Sequence, residues 1–104
     1  MSKLKPVHPG EVLWEDFMKP RGLNPHRLAL DLHVSAPTVY EIVHCKRAIT
    51  TEMALRLAHY FGTTPQFWMN LETKYELDVA EDRRLVEKID RTVRPVTATT
   101  SATR

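Results

Sequence analysis

Pro25-His26-Arg27-Leu28-Ala29-Leu30-Asp31-Leu32, His33-Val34-Ser35, and Ala36-Pro37-Thr38-Val39-Tyr40-Glu41-Ile42-Val43-His44-Cys45-Lys46 run consecutively, and their reading decides the fold. They read as two short helices joined by three residues. Asn24 is a good N-cap, Pro25 suits the first helical position, and Leu23 can staple onto Leu28. The second helix repeats that logic, with Ser35 as the cap and Val34 stapling onto Val39. A joint this short makes the two helices cross steeply, as in a helix-turn-helix. That crossing needs a small residue under the second helix, and Ala29 stands there. It also needs apolar residues along the inside, and Leu28, Leu32, Val34, Val39 and Ile42 supply them. The turn position usually takes glycine for its positive φ. Here it is His33, and histidine tolerates that conformation better than most non-glycine residues.

In such a motif the N-terminal part of the second helix meets base edges in the DNA major groove. Its outward positions are Ala36, Pro37, Thr38, Tyr40, Glu41 and His44, opened by Ser35. Thr38 can hydrogen-bond to several bases or to a phosphate, Glu41 can accept from a cytosine amino group, and Ala36 or Pro37 can touch a thymine methyl. Tyr40 suits a phosphate or a base. Lys46 and Arg47 after the helix, and Arg27 at the start of the supporting one, are phosphate candidates. Each has a plainer reading. Tyr40 can be half core, Glu41 can sit outward or repel phosphates, and Arg27 can pair with Asp31 four residues on. Lys46 and Arg47 can be ordinary solvated charges.

Outward from this stretch the chain keeps reading as helices. The first should begin near Pro9 and stop at the Pro20–Gly22 breakers, with Val12, Leu13 and Phe17 as its stripe and Trp14 and Met18 beside it. Trp14 is either core or an exposed anchor of the kind partners use. A fourth helix opens at Thr50 or Thr51, with Ala54, Leu57, Ala58 and Phe61 at i, i+3, i+4 and i+7 and Gly62 as the C-terminal cap. A fifth opens at Thr64 with Pro65 and presents Phe67, Trp68, Leu71 and Tyr75. A weaker sixth spans about Glu81 to Arg91 on Leu85, Val86 and Ile89. No stretch alternates apolar and polar residues as a strand would. We expect an all-α protein of five helices with a weaker sixth: one domain over 1–91, and a flexible Thr-rich tail over 92–104.

With 104 residues the chain is long enough for one core. A single cysteine, Cys45, excludes an intramolecular disulfide, and no apolar run approaches a membrane span. The N-terminus lacks the apolar core of a signal peptide, so a cytoplasmic location is expected. Net charge is only +2, but residues 19–47 carry five basic against two acidic side chains, whereas from residue 61 on the count is seven to seven. A polyanion would meet the first half. His44 beside Cys45 lacks the further ligands of a structural zinc site. Cys45 among basic neighbours could be a sensitive thiol, yet it has no resolving partner in the chain. There is no phosphate-binding glycine loop and no nucleophile with a spaced base. We expect no enzyme, cofactor, metal, membrane partner or small-molecule substrate.

The chain also resembles a known family. His8-Pro-Gly-Glu-Val-Leu, Arg21-Gly-Leu, Leu28-Ala, Val34-Ser, Ile42-Val, Lys46-Arg-Ala-Ile-Thr, Ala54-Leu-Arg-Leu-Ala, Tyr60-Phe-Gly-Thr-Thr-Pro-Gln-Phe-Trp-Met-Asn-Leu and Tyr75-Glu-Leu look like the HigA antitoxins. These are also called VapI-like or plasmid-maintenance antidote proteins, within the XRE (Cro/C1-type, lambda-repressor-like) helix-turn-helix group. The likeness covers about residues 6–82. It implies a homodimer that binds a palindromic operator and represses its own operon. It also implies a toxin partner of the HigB type, a ribosome-dependent mRNA endonuclease that the antitoxin neutralises. On this chain Thr38, Tyr40, Glu41, Lys46 and Arg47 would face DNA, with recognition helices roughly 34 Å apart across the dimer. Phe67, Trp68, Leu71 and Tyr75 would supply core and dimer interface. The family usually has Asn-Gly before its Lys/Arg pair, where this chain has His44-Cys45, and many members have Gln where Glu72 stands. Two other functions stay open: a stand-alone regulator without a toxin, and an interaction module that mainly grips a toxin. Steep salt dependence of DNA binding separates a repressor from such a module.

Overall fold

The computed structural model describes residues 5–96, and every regular element among them is helical. α1 opens as Pro9–Val12, continues as a π-helical segment, Leu13–Met18, and closes in a 3-10 turn, Lys19–Arg21. α2 is Pro25–Leu32, α3 Ala36–Val43, α4 Thr51–Phe61, α5 Pro65–Asp82 and α6 Leu85–Thr92. Five helices start on a side-chain cap: His8, Asn24, Ser35, Thr50 and Thr64 each accept from a backbone N–H of the first turn. Proline occupies the first or second position of α1, α2, α3 and α5, where its missing N–H costs nothing.

The π-helical turn corrects the expected stripe of α1. The Lys19 N–H donates to the Trp14 carbonyl, five residues back. That wider turn brings Leu13 and Met18 to one side, and both are fully buried, while Trp14 and Phe17 are only half-buried against the core and Val12 is half-buried. Leu28, Ala29, Leu32, Val39, Ile42, Ile49, Met53, Ala54, Leu57, Ala58 and Trp68 fill the rest of the interior. Burying each leucine fully contributes about 1.5–3 kcal/mol.

Helix ends recur in one form. After α2 the Val34 N–H donates to the Ala29 carbonyl and the His33 N–H to Leu30. After α3 the Lys46 N–H donates to Glu41 and the Cys45 N–H to Ile42. This double bond needs a left-handed residue at its centre. His33 (φ 60°) and Cys45 (φ 63°) fill that role, where Gly62 (φ 76°) does so after α4.

The boundary of the sixth helix also differs from expectation. Glu81 and Asp82 belong to α5, and the break falls at Arg83 and Arg84, with Arg84 at φ 60°. Nothing in an arginine pair announces a left-handed turn, so the start of α6 reads too early. The far part of α5 and all of α6 extend from the core, giving extents of 54 × 29 × 23 Å. No residue of α6 is buried, and Leu85, Val86 and Ile89 stand exposed. From residue 97 on, the expected tail lies outside the described residues.

Candidate nucleic-acid interface

The α2–α3 joint forms because its interior is apolar and its ends are capped. Asn24 Oδ1 accepts from the Arg27 N–H at 2.8 Å, and Ser35 Oγ from the Thr38 N–H at 3.4 Å. Arg56 of α4 locks α2 from behind by donating to the Leu32 carbonyl at 2.8 Å. α3 is fixed from its other end by α1. A Cβ on Gly10 would come within 1.8 Å of the Ile42 carbonyl oxygen, so only glycine lets α1 lie this close to α3.

His8 sets that approach. Its Nδ1 accepts from the Gly10 N–H at 2.8 Å, and its buried ring meets Tyr75 edge-on at 4.8 Å. An accepting Nδ1 is unprotonated, so the ring is neutral. Burial lowers the pKa of His8 below its ordinary 6.5, against an opposing pull from Glu11.

The α3 side chains expected to face outward divide between exposed and half-buried positions. Tyr40 is 56% exposed, and its ring lies 4.2 Å from that of His44. His44 Nδ1 is 2.8 Å from the Tyr40 carbonyl oxygen. Pro37 is exposed and Ala36 half-buried. Thr38 is half-buried, with its hydroxyl 2.8 Å from that of Ser35. A cleft of about 170 Å³ beside it is lined by Thr38, Arg47, Thr50 and Arg56, among others. Arg56 did not figure among the candidates read from sequence. Its i,i+4 spacing to Glu52, with which it pairs at 2.8 Å, and its place in the Ala54-Leu-Arg-Leu-Ala stretch are the sequence signals it gave.

The flanking charges are more engaged than the sequence suggests. Arg47 Nη2 sits 2.7 Å from Glu41 Oε1, so the free chain pairs a phosphate candidate with a base-reading candidate. Arg27 pairs with Asp31 at 3.1 Å, the plainer reading of that residue. Asp31 also accepts from the Tyr60 hydroxyl at 2.6 Å, and that bond, with the Arg27 charge, lowers its pKa. Lys46 is exposed. Cys45 is no activated thiol: burial and the Glu11 carboxylate, 4.0 Å away, raise its pKa despite the Lys5 charge.

The expected interface residues on α5 divide. Trp68 is 0% exposed, donates from Nε1 to Thr63 Oγ1 at 2.8 Å and packs on Phe17, so it serves the chain's own core and offers no area to a second copy. Phe67 stands at the surface, and Leu71 and Tyr75 are half-buried. Glu72, the next residue after Leu71, is buried and was not among the candidates. Burial and the neighbouring Glu76 push its pKa up, while the hydrogen bond from the Ile49 N–H opposes them.

Two short helices packed together across a three-residue turn, with the outer face of the second left open, define a helix-turn-helix protein of the lambda-repressor-like class. No family model matches the chain. It is 48% identical over 80 residues to virulence-associated protein I of Dichelobacter nodosus, covering 77% of this chain and 74% of that one. It is 30% identical over 95 residues to antitoxin HigA-1 of Vibrio cholerae, covering 91% and 88%. Antitoxin HigA of Pseudomonas aeruginosa, solved with the higBA promoter, superposes with a TM-score of 0.83 at 42% identity over 88% of this chain and 99% of that one. The chain belongs to the HigA antitoxin family.

Proposed function

We propose that the protein is an operator-binding antitoxin repressor that acts as a homodimer and neutralises a toxin of the HigB type. The observation that carries the DNA-binding part is the open face of α3. Pro37, Tyr40 and His44 stand exposed, with Ala36, Thr38 and Glu41 half-buried between them, beside Lys46 and Arg47, on a helix whose back is locked by Gly10 and Ala29. Side chains held so need little reordering to meet base edges, and the flanking cations meet phosphates. Ser35 caps α3 and Arg27 stands in the first turn of α2, the positions from which such a motif meets the DNA backbone. The relative solved with its promoter supports the same reading. A twofold dimer fits a palindromic operator; autorepression of the operon and a cytoplasmic location belong to the same reading, which the relative solved with its promoter supports.

For the dimer we propose Phe67, Leu71 and Tyr75 together with α6. Leu85, Val86 and Ile89 lie on one side of α6 and stand exposed among the described residues. A second copy would bury that stripe. The test is an anisotropy titration on the chain's own upstream DNA at two salt concentrations. Binding at two protomers per site that weakens steeply with salt supports the reading. Absence of sequence-dependent binding would sink it and leave an interaction module.

A further inference from the structure

The Arg47 side chain is tied to Glu41 of α3, and the backbone of the loop that carries Lys46 and Arg47 is hydrogen-bonded at two points. At its start the Cys45 and Lys46 N–H groups bond back into α3. Beyond that, among the described residues, the only backbone group between Arg47 and Ile49 with a hydrogen bond is the Ile49 N–H. It donates to Glu72 Oε1 of α5 at 2.9 Å, across 23 residues of chain. Both residues are nearly sealed from solvent, Glu72 at 5% and Ile49 at 2% exposure. A carboxyl group is costly in such a place unless a specific partner holds it. An apolar side chain would pack there more cheaply but would leave the Ile49 N–H unpaired.

We propose that Glu72 is a positioning residue for operator binding: by accepting from the Ile49 N–H it pins the α3–α4 loop to α5 and so fixes where Lys46 and Arg47 meet the DNA backbone. The inference rests on the operator reading above. Glu72 touches no DNA itself. Its effect is to present two cations at a preset height beside α3, so that binding does not have to order them. It also makes α5, the helix that bears the dimer residues, mechanically continuous with the phosphate-contacting loop.

The experiment compares the full chain with Glu72→Met, which keeps bulk but cannot accept, Glu72→Gln, which keeps the acceptor without the charge, and Glu72→Asp, one methylene too short. Circular dichroism first establishes folding. Operator affinity and its salt slope are then measured well below each melting temperature. E72Q should match the parent in both. E72M and E72D should bind roughly tenfold more weakly, with a salt slope flatter by about one unit per protomer. The Ile49 amide should be protected from hydrogen exchange in the parent and E72Q, and lose protection in E72M. A purely structural Glu72 would shift melting in E72M and leave the slope unchanged, and that result overturns the proposal. If E72M does not fold, E72D decides the matter by the same slope. A parent chain with no salt-sensitive operator binding overturns the operator reading itself, whereas parent binding with unchanged E72M and E72D slopes overturns only the role of Glu72.

Discussion

Single residues in this fold carry costs that glycine or a neutral side chain would avoid. Cys45 holds φ 63° at the end of α3, a position where a side chain costs about 1–2 kcal/mol relative to glycine. Cys45→Gly should therefore stabilise the chain by about 1 kcal/mol in urea unfolding, after the flexibility glycine adds to the unfolded state is subtracted. An unchanged midpoint would mean that the Glu11–Cys45 contact offsets the strain. The Glu41–Arg47 pair makes a second claim at this scale. In the free chain Glu41 competes with phosphate for Arg47. Glu41→Gln should raise affinity for unrelated DNA and steepen its salt slope, while Arg47→Ala should flatten the slope by about one unit per protomer. If Glu41→Gln leaves unrelated DNA untouched, the pair persists on DNA and Arg47 positions Glu41 instead. The glycine substitute at His33 was legible because the helices on both sides carried caps. The Glu41–Arg47 pair was not, since six residues of separation across a helix end correspond to no periodic spacing.

Helices here are placed by close approach at few points. α1 reaches α3 only because Gly10 has no side chain, and the neighbouring His8 cap sets the angle of entry. Gly10→Ala would press a methyl into the Ile42 carbonyl, a backbone atom that cannot rotate aside. We expect a loss of about 3 kcal/mol in thermal or chemical unfolding and weaker operator binding, because α3 would have to shift. A variant that melts normally would mean that α1 can move off α3 without cost. The helix-turn-helix and the caps of α4 and α5 were readable from local chemistry: an N-cap, a proline, then an apolar period. Two features were not. The π-helical turn of α1 depends on Leu13 and Met18 both finding the core, which no local signal encodes. The α5–α6 break depends on Arg84, a residue with no turn preference, in a stretch whose apolar spacing continues through it.

Across the whole molecule, two buried titratable groups tie α5 to the operator-binding half, and they respond to pH with opposite sign. His8 is neutral in the fold and its pKa is lowered by burial. Its contribution to stability is therefore complete above about 6.5, the ordinary value, and is lost as pH falls through the folded pKa. Glu72 has its pKa raised by burial and by Glu76. Its contribution is complete below the ordinary carboxylate value of 4.5 and is lost as pH rises through the folded pKa. Acidification from neutral thus weakens the His8 clamp on α1 while relieving the buried charge on α5. Each single substitution should expose the other group. His8→Asn, which keeps an N-cap acceptor, should remove the destabilisation below pH 6.5 and leave melting that rises on acidification. Glu72→Gln should raise the melting temperature at pH 7, with the gain shrinking toward pH 4.5. It should also leave a steeper acid loss than the parent shows. Melting curves of the parent, both single variants and the double variant between pH 4.5 and 7.5 measure this. Single variants each as pH-dependent as the parent would assign the titration to other groups and remove both residues from the pH response of the fold.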